Sequence, residues 1–163
     1  MMSTTRSLHR WLAFVFVLMT CTFMACKDDD DDKEPDPVVN TDPIVGTWQL
    51  TSITPETAGT TIPELAFAEA VVPCLYMLKV TFKADNSLTT ADCEAAVTAI
   101  GTFIPVSAAA KWKVEGDSLT LTQGTASESF KRMQTDTELT LVVNTVTDSS
   151  KPAKNALLHF KKI

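Results

Sequence analysis

Few side chains in this chain of 163 residues could do chemistry: four cysteines, two histidines and twenty carboxylates. A Ser or Cys nucleophile needs a base within hydrogen-bond reach, and the only histidines are His9 and His159. His9 lies near the start of the chain, beside an apolar run. His159 sits between Leu158 and Phe160 in an alternating stretch, where a solvated strand face is the expectation for it. No base is left for a triad. Two carboxylates could still act as a glycosidase pair, but Asp85, Glu115, Asp117 and Asp136 fall at turns, where solvation is the default. The run Asp28 to Asp32 lacks the glycine and the ligand spacing of a calcium loop. There is no phosphate loop, no dinucleotide fingerprint and no clustered His. The expectation is a protein without catalytic residues, metal or cofactor.

Composition excludes two further classes. With 45 % hydrophobic and 21 % charged residues the chain suits a globular fold rather than disorder throughout. A formal charge of −6 and no basic patch argue against nucleic acid as a partner.

The first 25 residues read as an export signal. Arg6, His9 and Arg10 make a positive start, and Trp11 to Met19 is an unbroken apolar run of nine residues, too short to span a bilayer. Phe23-Met24-Ala25-Cys26 then resembles the lipobox of bacterial lipoproteins. That resemblance implies cleavage before Cys26, a diacylglycerol on its thiol and a membrane anchor there. The other reading is an ordinary cleaved signal, or an uncleaved anchor, with Cys26 incidental. Residues 26–42 follow as a tether, since a run of like charges with Pro cannot bury apolar surface. Lys27 followed by Asp28 to Asp32 resembles the signal that sends some Gram-negative lipoproteins to the outer face of the outer membrane. The periplasmic face and a plain repulsive spacer are the alternatives. Residues 27–42 hold eight acids and two Lys, whereas the part from Pro43 onward holds twelve acids against ten Lys and Arg, or −2. The acidity belongs to the tether.

Export leaves Cys74 and Cys93 in an oxidising compartment, where a pair in a small domain is usually a disulfide. Two thiols that bind metal or do redox work are the rival reading, without C-x-x-C spacing to support it.

From residue 43 to 163 short alternating runs broken by turn residues predict an all-β antiparallel domain. The strands fall at Gly46 to Thr54, Tyr76 to Phe82, Leu88 to Asp92, Lys111 to Glu115, Ser118 to Thr122, Ser127 to Met133, Leu139 to Val143 and Ala156 to Ile163. A short helix is expected over residues 63–72, with Pro63 at its start. Residues 94–110 read equally as helix, edge strand or loop. Eight up-and-down strands leave two exposed edges unless they close into a barrel.

Gly46-Thr47-Trp48 at the start of the first strand, then Cys74, Thr81 to Asp85, Cys93, Trp112 and Leu119-Thr120-Leu121, is similar to the lipocalin-like domains of bacterial outer-membrane lipoproteins. The resemblance implies an up-and-down barrel whose floor is closed by Trp48. An Arg packing over that Trp is not evident as a motif, although Arg132 is the one Arg after the signal. The inward phase of the strands carries Trp48, Leu50, Tyr76, Leu78, Val80, Phe82, Trp112, Val114, Leu119, Leu121, Phe130, Leu139 and Leu141. These thirteen either fill the barrel as its core or line a cavity for a small apolar ligand. A void of about 300 Å³ or more separates the two readings. If the barrel is full, the expected role is that of a surface accessory or interaction lipoprotein.

Overall fold

A computed structural model describes residues 39–146, 148 and 150–163. The signal segment 1–25, Cys26 and most of the tether lie outside the described residues. Residues 40–42, at the tether's end, are held to the domain: the Asn40 N–H donates to the Ala84 carbonyl at 2.9 Å, and Asp42 pairs with Arg132.

Eight strands form one antiparallel sheet: β1 Gly46–Pro55, β2 Lys79–Phe82, β3 Leu88–Ala91, β4 Lys111–Glu115, β5 Ser118–Gln123, β6 Ala126–Gln134, β7 Glu138–Asn144 and β8 Asn155–Lys162. Their hydrogen-bonded order is β3-β2-β1-β8-β7-β6-β5-β4, an up-and-down arrangement curled into a nearly closed barrel. Alternation drives it. In β8, Ala156, Leu158 and Phe160 are buried while Leu157, His159 and Lys161 are not, so one face of each strand is removed from water. In β1 the register slips between Leu50 and Ser52, leaving Thr51 as an extra residue. That bulge resets the phase, so Trp48 and Leu50 point inward and the next inward residue is Ile53. The two-residue loop from β4 to β5 opens on Gly116 at φ +57°, a conformation that glycine adopts without Cβ strain.

The sheet's two free edges, β3 and β4, meet at a seam. One bridge, Ser87 with Lys111, joins them, and the Trp112 and Leu88 amides donate to the Asn86 and Ala110 carbonyls. The Trp112 indole N–H is shared between the Lys83 and Ser87 carbonyls at 3.1 Å each, and its ring meets Phe82 edge-on with centroids 5.8 Å apart. Beyond that bridge the seam is filled by the ambiguous segment, which proves to be helix α2, Glu94–Ile100, and a loop that buries Ile104, Val106 and Ala110.

The helix expected over 63–72 is present as α1, Pro63–Val71. The strand expected from Tyr76 begins only at Lys79. Residues Leu75–Met77 make one 3-10 turn instead, with Leu75 buried and Tyr76 exposed. The cause is local: Pro73 cannot continue α1, and Cys74 is bonded to Cys93, with Cα atoms 5.7 Å apart, so the chain crosses the barrel end before it enters β2.

Candidate functional site

The barrel has two unlike ends. At the floor lie the chain's entry, the turn at 84–87 and the β4–β5 loop; at the other end, the mouth, lie α1, α2 and the β7–β8 loop.

The floor is closed by three side chains. The Trp48 indole is fully buried and donates to the Ile44 carbonyl at 2.7 Å. The cation above it is Lys162, whose ammonium lies 5.1 Å from the ring centroid and donates to the Pro43 carbonyl at 3.0 Å. Gly46 makes room for that lysine. Its φ is +135°, a conformation that calls for glycine, and a Cβ there would come within 2.8 Å of Lys162 Cε and push the flexible lysine aside. Arg132 sits beside this stack rather than over Trp48. Its Nη1 donates to Asp42 Oδ1 and to Gln134 Oε1, both at 2.8 Å, with side chains only 13 % and 19 % exposed in the ion pair.

The barrel's interior is filled. Of the thirteen inward residues, eleven are buried; Val114 is half-buried and Tyr76 is the correction, pointing outward. Tyr76 instead donates a hydroxyl hydrogen bond to Glu69 of α1, and partial desolvation, with that carboxylate alongside, pushes its pKa up to about 12.

The cavity lies at the mouth, and none of the thirteen lines it. It holds about 50 Å³ between Leu65 and Ala68 of α1, Ala99, Ile100, Phe103 and Ile104 of α2 and its loop, and Ile53, Val143, Ala156 and Leu158 at the strand ends. Its lining is almost wholly apolar, with Glu64 and Thr145 at the rim. A volume of 50 Å³ admits about one or two water-sized groups, far below the roughly 300 Å³ at which ligand pockets begin. The roof is unusual for a helix: α1 buries none of its nine residues, and Phe67 and Val71 are 67 % and 52 % exposed. Outside it an apolar groove of about 420 Å³ runs between α1 and α2, past Phe67, Val71 and Phe103. The disulfide fixes the ends of both elements, joining the chain just after α1 to the residue just before α2.

Other candidates resolve plainly. His159 lies on the outer face, its Nε2 3.0 Å from Thr54 Oγ1 and its Nδ1 3.2 Å from Thr140 Oγ1. Asp85 accepts from the Ser87 hydroxyl and amide, which holds its carboxyl below the usual carboxylate range. Among the described residues no three His, Cys, Asp or Glu side chains gather as a metal site.

Sequence reasoning missed Leu65, Phe103, Val143 and Leu158 as lining. The exposed phase of α1 carried the available signal: Phe67 and Val71 stand four residues apart on a helix too short to bury both faces.

A family model for the lipocalin-like domain matches residues 44–141. Neither the curated proteins nor the solved structures give a match.

Proposed function

The chain belongs to the family of lipocalin-like domains, and on that premise we propose that it is a non-enzymatic, lipid-anchored extracytoplasmic protein that holds a small apolar ligand at the barrel mouth, beneath α1. The observation that carries this reading is the apolar cavity roofed by a helix with no buried residue. A filled β-barrel cannot widen without losing core contacts. Helix α1, which packs on the core through half-buried Leu65 alone, can rise at a smaller cost than the barrel can widen, merging the cavity with the groove beside it. The ligand therefore enters between α1 and α2 and rests on Ile53, Val143 and Leu158.

Support for the anchor is the Ala25-Cys26 lipobox resemblance, and support for a place on the outer face of the outer membrane is the Lys27 to Asp32 run after it. The tether joins the domain at the floor, through Asn40 and Asp42. In this reading the ligand comes from the medium.

A second reading is favoured by one observation: Phe67, Val71 and Met77 are all more than half exposed at the mouth. They would make the domain an accessory lipoprotein that works by surface contact.

The test is native mass spectrometry of the exported chain carrying Cys26→Ala, alone and with Ala68→Trp, which plugs the cavity from its roof. The expected outcome is a bound small apolar molecule, or uptake of one on addition, that Ala68→Trp abolishes while the far-ultraviolet spectrum stays unchanged. A chain that takes up no apolar molecule in either form overturns the mouth site in favour of the surface reading.

A further inference from the structure

Polar groups stand where the proposed ligand would leave the cavity. Beside the cavity lies an open vestibule of about 570 Å³. It shares Glu64, Phe103 and Thr145 with the cavity, so the two adjoin and together offer a path, almost wholly apolar inside and of mixed polarity outside. A ligand following that path has an apolar end and a polar one.

The vestibule's walls carry opposite charges. One wall is α1, with Glu64 in its first turn. The other is the β7–β8 loop, with Asp148, Lys151 and Lys154. Asp148 is already engaged. It accepts the Ser150 amide at 3.0 Å and hydroxyl at 2.7 Å, and it lies 3.7 Å from the Lys151 ammonium. Glu64 and Lys154 are both exposed, and among the described residues neither takes part in an ion pair. One uncommitted anion and one uncommitted cation thus face the same space from opposite walls.

We infer that the ligand is a single-chain amphiphile with a zwitterionic head, its chain beneath α1, its cationic group at Glu64 and its anionic group at Lys154. This rests on the mouth reading above and adds the class of the ligand. A purely anionic head meets the Glu64 and Asp148 carboxylates as well as the lysines, and a purely cationic head meets Lys151 and Lys154. Only a head with both signs finds an uncommitted opposite charge on each wall, since Asp148 is held by Ser150 and Lys151, which is how specificity arises from charge placement rather than from apolar contact.

The experiment compares three twelve-carbon amphiphiles below their micellar concentrations by calorimetric titration into the exported full chain with Cys26→Ala: dodecylphosphocholine, dodecanoate and dodecyltrimethylammonium. Dodecylphosphocholine is expected to bind about tenfold more tightly than either singly charged amphiphile, the sum of two partly screened charge contacts. Glu64→Gln and Lys154→Gln each remove part of that preference, and Glu64→Gln tightens dodecanoate. Equal affinities for all three, or a preference for dodecanoate in the unmodified chain, overturn the zwitterionic head and leave the mouth site standing. Binding of none of the three overturns both. Ala68→Trp, which blocks the chain and leaves the charges, abolishes all three affinities if the tail occupies the cavity; unchanged affinities place the amphiphiles elsewhere and overturn the inference.

Discussion

The floor and the mouth of the barrel are built in opposite ways. At the floor the large groups named above are held in place: Trp48 is fully buried with its N–H bonded, Lys162 covers its face, and Arg132 and Asp42 share a shielded ion pair, although Gln134 Nε2 beside them is buried without a partner. At the mouth a nine-residue helix buries nothing and leaves Phe67 and Val71 in water. Burial of apolar area, with the Trp48 hydrogen bond and the Arg132 ion pair, concentrates stability at one end. The other end has less apolar burial to lose, and low local burial is where proteins open first.

The largest test of this contrast pairs Trp48→Ala with Phe67→Ala. Removing a fully buried indole is expected to cost about 4 kcal/mol, since transfer and cavity terms add, whereas Phe67→Ala stays within about 0.5 kcal/mol as a surface change. Urea unfolding of the two variants measures both. Equal losses would dissolve the distinction between the ends.

Next in size is the disulfide. Cys74 and Cys93 close a loop with a sequence separation of 19, for which the chain-entropy estimate is about 3 kcal/mol. Replacing both with Ala should lower global stability by about that amount. In hydrogen exchange, α1, the 3-10 turn and α2 should lose protection while β1 and β8 keep theirs at matched stability. Uniform loss along the barrel would mean that the mouth is no separate unit.

The smallest effect is a titration. The chain has one tyrosine, so phenolate absorbance reports Tyr76 alone. Its folded-state pKa is raised to about 12 from an ordinary value of about 10. The hydroxyl's contribution to stability is therefore fully present below about pH 10 and is lost as pH rises through about 12. Glu69→Gln, which removes the neighbouring charge, should bring the midpoint down. A Tyr76 that titrates as a free phenol would show that the tie between the 3-10 turn and α1 is not made.

The strands were legible because half-burial writes a period of two into them: Trp112 and Val114, Leu119 and Leu121, Leu139 and Leu141 all alternate with polar residues. The floor tryptophan was legible through Gly46-Thr47-Trp48. Its cation was not, because Lys162 comes from the far end of the chain and reaches Trp48 only through the β1–β8 pairing. Tyr76 misled because it continues the alternation of Leu78, Val80 and Phe82; sequence period cannot see that a proline and a disulfide turn the chain just ahead of the strand. The mouth was least legible. Its cavity is assembled from α1, α2 and the ends of β1, β7 and β8, each giving one to three residues, and no local pattern records such a meeting.

The clamp of Asp42 on Arg132 also sets a path for force. Tension on the chain N-terminal to Asn40 reaches the domain at Asn40 and Asp42, and passes from there into β1, which is hydrogen-bonded on both edges to β2 and β8. The load is borne by the floor and the middle of the sheet, at the opposite end from α1. A pull on the domain from its N-terminal side would thus leave the helix over the cavity mechanically silent.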